Sequence, residues 1–415
     1  METGRPMNTT IAPRTPKQER SAQFSMGFSC IGHTYAHLFT PIFFTLVPLA
    51  LEDEFGLSHG ETVALIFVGN LLFGFAAPLA GWLADRWTAT GMMAIFYVGT
   101  GAAMIMCGMA ESPLALGFWL AMTGLFASIY HPVGIAWLVR ESVNTGTVLG
   151  VNGIFGSLGT AVAAVMAGWL VYLYGWRSAY ILPGIVVIVT GMVFTALLVK
   201  GVIIESKTDR KPPPPPSTRG ETMQVYTILV VTLACGGLIY NTTNPALPKA
   251  FALDFGADGD GVLMVSYLIG LVYTCATVLQ IIGGRCADKF SARRVYLIGY
   301  LLQVPILMAF GMFDGPTIVL IAIVMTGLNT ATQPAENILI ARYTPFSRRG
   351  LIFGLKFVVA IGISSLGVLL EGFMFDLTGG FFWLFLVLGG LAAIGTVAAL
   401  LLPSESIDGI PQPAR

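Results

Sequence analysis

The sequence predicts an all-α integral membrane protein with twelve transmembrane helices in two repeated six-helix bundles. Three observations carry this: a shortage of charge, twelve apolar runs of bilayer length, and features that recur half a chain apart. Of 415 residues, 55% are hydrophobic and 11% charged, and the mean hydropathy is +0.78. A soluble domain carries about 25% charged residues, so lipid must solvate most of this chain. The 22 basic and 22 acidic residues cancel, which leaves no global positive field and argues against nucleic acid as a partner. The five cysteines, Cys30, Cys107, Cys235, Cys275 and Cys286, show no CxxC spacing and read as neither a disulfide framework nor a zinc site.

A span needs about 20 predominantly apolar residues. Residues 1–23 are polar and include Arg5, Arg14, Lys17 and Arg20, which suggests a cytoplasmic tail. The first apolar run, 24–51, contains two histidines and no small-residue cleavage site, so an uncleaved span is expected rather than a signal peptide. Runs at 61–83, 92–110, 113–139, 147–174 and 178–200 complete a first bundle over 24–200. Residues 201–222 carry the unbroken run Pro212 to Pro216, which favours polyproline II and reads as a semi-rigid cytoplasmic linker. A second bundle over 223–402 follows, with runs at 223–250, 261–284, 295–313, 316–341, 350–375 and 380–402, then a tail at 403–415.

Basic residues orient the spans, because cytoplasmic connections are enriched in Lys and Arg. With both termini cytoplasmic, all but three of the 22 basic residues fall on the inner side. Arg177 and Lys249 lie in outer connections, which also carry the acids Glu52, Asp53 and Glu54, and Lys356 lies within the eleventh run. The expected location is therefore a bacterial inner (plasma) membrane, crossed many times.

At an offset of about 203 residues, the two halves repeat. Gly81-Trp82-Leu83-Ala84-Asp85-Arg86 matches Gly284-Arg285-Cys286-Ala287-Asp288-Lys289, and Thr123-Gly124-Leu125 matches Thr326-Gly327-Leu328. Gly146, Gly150, Gly168 and Gly175 match Gly350, Gly354, Gly372 and Gly379, and Pro41 matches Pro245. A Gly-x-x-x-Asp-Arg/Lys loop after the second span, repeated after the eighth in a six-plus-six chain, resembles the major facilitator superfamily over residues 24–402. Arg293 and Arg294 continue the second copy, with Ser291 where glycine is usual; the first copy has Thr88, Thr90 and Gly91 where a glycine and two basic residues are common.

In that family the loop gates. The resemblance implies that Asp85 sits at the start of span eleven, where free backbone N–H groups favour an anion, with Arg140 as its partner cation. Asp288 and Arg342 are the expected counterparts, and Arg86, Lys289, Arg293 and Arg294 complete the gating set. The plainer reading is that these charges only satisfy the inner-side rule.

Ionisable side chains inside a membrane are costly and usually face a cavity or a partner. His33 and His37 are four apart and share a helix face. They read as a pair lining a substrate cavity, as structural hydrogen-bonding groups, or as half of a metal site, and two ligands do not make a site. His131 precedes Pro132, whose ring removes a helix hydrogen bond. Tyr130-His131-Pro132-Val133-Gly134 together with Gly32-His33 resembles the fosmidomycin-resistance efflux branch, implying export by proton exchange. His37 and Val133 stand where that branch commonly has carboxylates.

Glu336 and Lys356 lie equally far from the loop joining spans ten and eleven, about 8–10 Å deep at 1.5 Å per residue, and are placed to pair. Asn152 is the repeat-related position to Lys356, and Gly150, Gly153, Gly156 and Gly159 around it permit close helix approach. Asn241, Asn244 and Gln333 add uncharged polar groups, suiting a small polar or anionic organic solute.

The function expected is secondary transport of a small organic solute by alternating access, proton-coupled and directed outward, with uptake or exchange of a small organic anion as the alternative. No GxxxxGK[ST] motif supports ATP-driven pumping, and no catalytic cluster supports an enzyme. A non-transporting sensor or scaffold would be expected to carry a soluble signalling domain. No cofactor or metal is expected, the partners being the solute, protons and lipid, with the monomer as the working unit.

Overall fold

The computed structural model describes residues 15–140, 145–205, 219–344 and 349–403. The proline run of the linker, most of both tails and the basic residues Arg5, Arg14, Lys207, Arg210, Lys211, Arg348 and Arg415 lie outside the described residues. Twelve helical spans account for the described fold: Pro16–Phe55, His59–Arg86 bent by 41° at Ala76, Ala89–Gly108, Pro113–Arg140, Thr145–Tyr174 and Ser178–Val199 form the first six. The second six are Arg219–Phe255, Asp260–Lys289, Ala292–Phe310, Pro316–Tyr343, Arg349–Thr378 and Phe382–Leu400. Helices satisfy every interior backbone group within one segment, which hydrocarbon demands. The largest shifts from the sequence reading are extra turns at span ends, as at Pro16 and Phe255, where polar residues continue a helix beyond its apolar run.

Local chemistry sets the ends. Ser58 and Glu61 form a reciprocal capping box at the start of span two, and Thr88 accepts from the Gly91 N–H at the start of span three. Gly56 and Gly379 end spans one and eleven with φ of 61° and 68°, a region open to glycine.

Four buried apolar clusters hold the bundles together. Where lipid offers no hydrophobic drive between helices, close backbone approach supplies the packing. A Cβ on Gly101 of span three would lie 2.6 Å from the Gly184 carbonyl of span six. Across the halves, a Cβ on Gly74 of span two would lie 2.5 Å from Gly362 Cα of span eleven.

The repeat is visible in hydrogen bonds as well as in sequence. Tyr97 donates to the Phe28 carbonyl at 2.5 Å, and Tyr300 donates to the Thr232 carbonyl at 2.6 Å. Both donors and both acceptors stand about 203 residues apart, so the same tie closes span one on span three and span seven on span nine.

Besides the bend in span two, three spans carry π-helical stretches among the described residues. Span one turns at His37 and runs through a π-helical stretch at Val47–Leu51, span four is π-helical over Tyr130–Gly134, and span eleven over Val358–Gly362. Such bulges re-aim side chains and frequently mark functional sites.

Candidate functional site

In the first bundle, the break in span one and the bulge in span four bring His33, His37 and His131 together. Their ring centroids lie 5.1 Å (His33–His37), 5.4 Å (His33–His131) and 5.3 Å (His37–His131) apart. His33 Nδ1 lies 2.7 Å from the Asn152 carbonyl oxygen on span five. The Asn152 side chain donates to the Tyr130 hydroxyl at 2.8 Å, and Tyr130 donates to the Ser29 carbonyl at 2.7 Å while its ring stacks on His33. Asn152 is thus a buried brace between spans one, four and five. The His131 ring, 9% exposed, has no hydrogen-bond partner on either nitrogen among the described residues and stacks at 4.7 Å on Phe357 of the second bundle.

In the second bundle, Lys356 and Glu336 form the ion pair that their equal depth suggested, Nζ to Oε1 at 2.7 Å with the side chains 12% and 9% exposed. Lys356 also donates to Asn337 Oδ1 at 2.6 Å, and Tyr296 donates to the other Glu336 oxygen at 3.0 Å. A buried pair persists only when its remaining hydrogen-bonding positions are filled, and Tyr296 and Asn337 fill them. Asn241 donates to the Gly237 carbonyl of its own span and, at 3.4 Å, to the Ala360 carbonyl in the span-eleven bulge. Asn244 accepts from Tyr273. Gln333 accepts from Gln280 at 3.3 Å, and Gln280 accepts from Ser157 of the first bundle at 2.6 Å. The polar residues therefore form one connected network in the first bundle and separate groups in the second, and the His131–Phe357 stack and the Ser157–Gln280–Gln333 chain bridge the bundles.

At the acidic end of the spans lies a cluster absent from the sequence reading. His59 Nδ1 meets Glu52 at 2.7 Å and its Nε2 meets Glu371 of the second bundle at 2.9 Å. Lys249 of the second bundle pairs with Glu52 at 2.5 Å. Asp376 accepts from the Ser58 hydroxyl at 2.6 Å and from the Gly60 N–H at 3.1 Å. A signal existed: Arg177 and Lys249, the two basic residues assigned to outer loops, both pair with the Glu52-Asp53-Glu54 turn, Arg177 through Glu54 at 2.8 Å.

At the basic end, the expected Asp85–Arg140 contact is not formed. Arg140 lies 3.6 Å from Glu205, which also accepts from the backbone N–H groups of Ala89 and Thr90. Glu205 thereby takes the N-terminal position of span three, where an anion is favoured. Asp85 is exposed and has no ion-pair partner among the described residues, while Arg86 stacks on Trp82 at 4.2 Å. Asp288, Arg294 and Arg342 are exposed, Lys289 lies over the Phe290 ring at 5.6 Å, and Arg293 donates to the Leu400 carbonyl at 3.0 Å.

A family model described as Major Facilitator Superfamily matches residues 29–226 and 229–414. A cis,cis-muconate transport protein of Acinetobacter baylyi is 24% identical over 396 residues, covering 86% of this chain and 89% of that one. A multidrug resistance protein B homolog of Mycobacterium tuberculosis is 30% identical over 147 residues, covering 33% of this chain and only 26% of that longer relative. The fold is similar to that of a bacterial homolog of the human lysosomal transporter Spinster in an inward-facing, unoccupied conformation, with a TM-score of 0.71 at 13% identity over 94% of this chain and 95% of that one. With the family match spanning both bundles, the chain is a multi-pass membrane protein, and it belongs to the Major Facilitator Superfamily.

Proposed function

We propose that this protein moves a small organic acid across the bacterial inner membrane by alternating access, coupled to protons, with both termini in the cytoplasm. The buried Lys356–Glu336 pair carries the reading. Lys356 lies well inside span eleven with its side chain 12% exposed, and an ammonium held by one carboxylate in low dielectric is open to exchange for another. A substrate carboxylate that takes Lys356 displaces Glu336, which then accepts a proton rather than remain a buried uncompensated anion. Substrate and proton thus load together, the coupling that drives uptake; proton-driven export requires instead that a protonated Glu336 and the substrate occupy the carrier in turn.

In this reading the acidic end faces outward, where His59, Glu371, Glu52, Lys249 and Asp376 hold the two bundles shut. Asp85 and Asp288, exposed in the last turns of spans two and eight, lie at the cytoplasmic end, to engage when the bundles rock the other way. The His-Pro-x-Gly of span four supports export. Uptake is the second reading, favoured by the near full-length likeness to a relative named as a muconate transport protein.

The test is flux in proteoliposomes. Labelled dicarboxylates and aromatic acids are followed with and without a pH gradient, and in vesicles of each protein orientation. Acid accumulation driven by the gradient and lost in Lys356→Gln is expected. Acid flux indifferent to the gradient removes the proton coupling, and no acid flux by folded protein removes the substrate class.

A further inference from the structure

We propose that His33, His37 and His131 form a binding site for a divalent transition-metal ion with a preference for imidazole, of the zinc, cobalt or nickel class. Two histidines four residues apart supply only half a site, and the bulge in span four adds the third. One ring nitrogen from each histidine lies within 4.8 Å of the others. Bonds of about 2.0–2.1 Å to a tetrahedral ion set the nitrogens about 3.3 Å apart, so they must close in by up to about 1.5 Å, and the break of span one at His37 and the π turn around His131 are where the backbone can give.

Two further observations point to a ligand. His131 is buried with both nitrogens unpartnered, a state that costs free energy unless something in the site completes it. His33 Nδ1 donates to the Asn152 carbonyl, which leaves the Nε2 lone pair available. A metal-bound histidine characteristically has its second nitrogen anchored this way. The Asn152–Tyr130–Ser29 network then fixes that anchor.

Three neutral imidazoles suit zinc, nickel or copper-like ions more than calcium or magnesium, which prefer oxygen. They also leave a fourth position open. Its occupant is an anionic donor, water-derived or solute-derived, because two positive charges in a membrane interior need compensation. Phe357 of the second bundle stacks on His131, so occupancy is felt at the contact between bundles.

The chain contains four histidines, and the fourth, His59, is held between Glu52 and Glu371. That makes a clean test on the full-length, tag-free protein in detergent. It is stripped with chelator, equilibrated with Co²⁺, and measured for metal per chain and for visible ligand-field bands. One Co²⁺ per chain is expected, displaced by Zn²⁺, with affinity reduced at least about tenfold in His37→Asn and His131→Gln and the stoichiometry of one kept in His59→Gln. If His131→Gln fails to fold, the half-buried His37 decides alone. Folded wild type that binds no stoichiometric Co²⁺, or binding unaltered by His37→Asn, overturns the site. Because the readout is metal content, it stands or falls separately from transport of organic acids.

Discussion

His59 holds a carboxylate on each ring nitrogen: Glu52 of its own bundle at 2.7 Å and Glu371 of the other at 2.9 Å. Two hydrogen bonds between one imidazole and two carboxyl groups need one proton more than a neutral ring and two carboxylates carry, so this contact between bundles contains a proton. The Lys249 ammonium on Glu52, the Asp376 carboxylate on Ser58 and the edge of Phe375 complete its surroundings.

Removing one member of such a buried pair costs about 3–5 kcal/mol, and the cost falls on the state closed at this end. Glu371→Gln is therefore expected to open it. A cysteine placed at Val63, fully buried here, should react with a membrane-impermeant maleimide at least about tenfold faster in that variant. Raising the pH outside works in the same direction, because the deprotonated imidazole loses a donor. Equal labelling rates at all pH values in both proteins would show that His59 does not hold the closure.

Steric closeness gives a second handle on the same end. A Cβ on Gly372 would lie 2.6 Å from Gly60 Cα and 2.7 Å from Val63 Cγ2, and moving the Val63 side chain leaves the clash with backbone in place. Gly372→Val is expected to exclude the closed arrangement, retaining binding from the acidic face while lowering transport at least about tenfold. Normal flux in that variant would mean that spans two and eleven need not meet here.

For the pair within the second bundle, the two substitutions should separate. Lys356→Gln is expected to weaken binding of a transported acid about tenfold or more, as loss of a charge-assisted contact implies. Glu336→Gln should keep downhill exchange and lose accumulation driven by a pH gradient. Unchanged affinity in Lys356→Gln would leave the pair a structural tie between spans ten and eleven.

At the basic end, stability and gating should come apart. Glu205→Ala removes both the acceptor at the start of span three and the Arg140 partner, and should lower stability by about 1 kcal/mol in thermal unfolding. Asp85→Asn, on an exposed side chain without an ion-pair partner among the described residues, should change stability by less than about 0.5 kcal/mol while slowing transport. Wild-type rates in Asp85→Asn would remove it from the gate.

Apolar length placed all twelve spans, and shared depth beside a short loop predicted that Glu336 and Lys356 meet. Both follow from local regularity: helix rise fixes depth, and consecutive antiparallel spans are neighbours whatever the rest of the chain does. The charges also told their ends apart, since the chain places nearly all its cations on one side. Contacts between distant segments were out of reach. His131 joins His33 and His37 only because span four bulges and spans one and four cross at that level, and His59 meets Glu371 only because the two bundles close on each other. Arg140 met Glu205 rather than Asp85 because the chain after span six folds back over the start of span three. Spacing along a helix is written in the sequence; which faces pack, and at what height, is decided by glycine-to-glycine approach and helix irregularity in three dimensions.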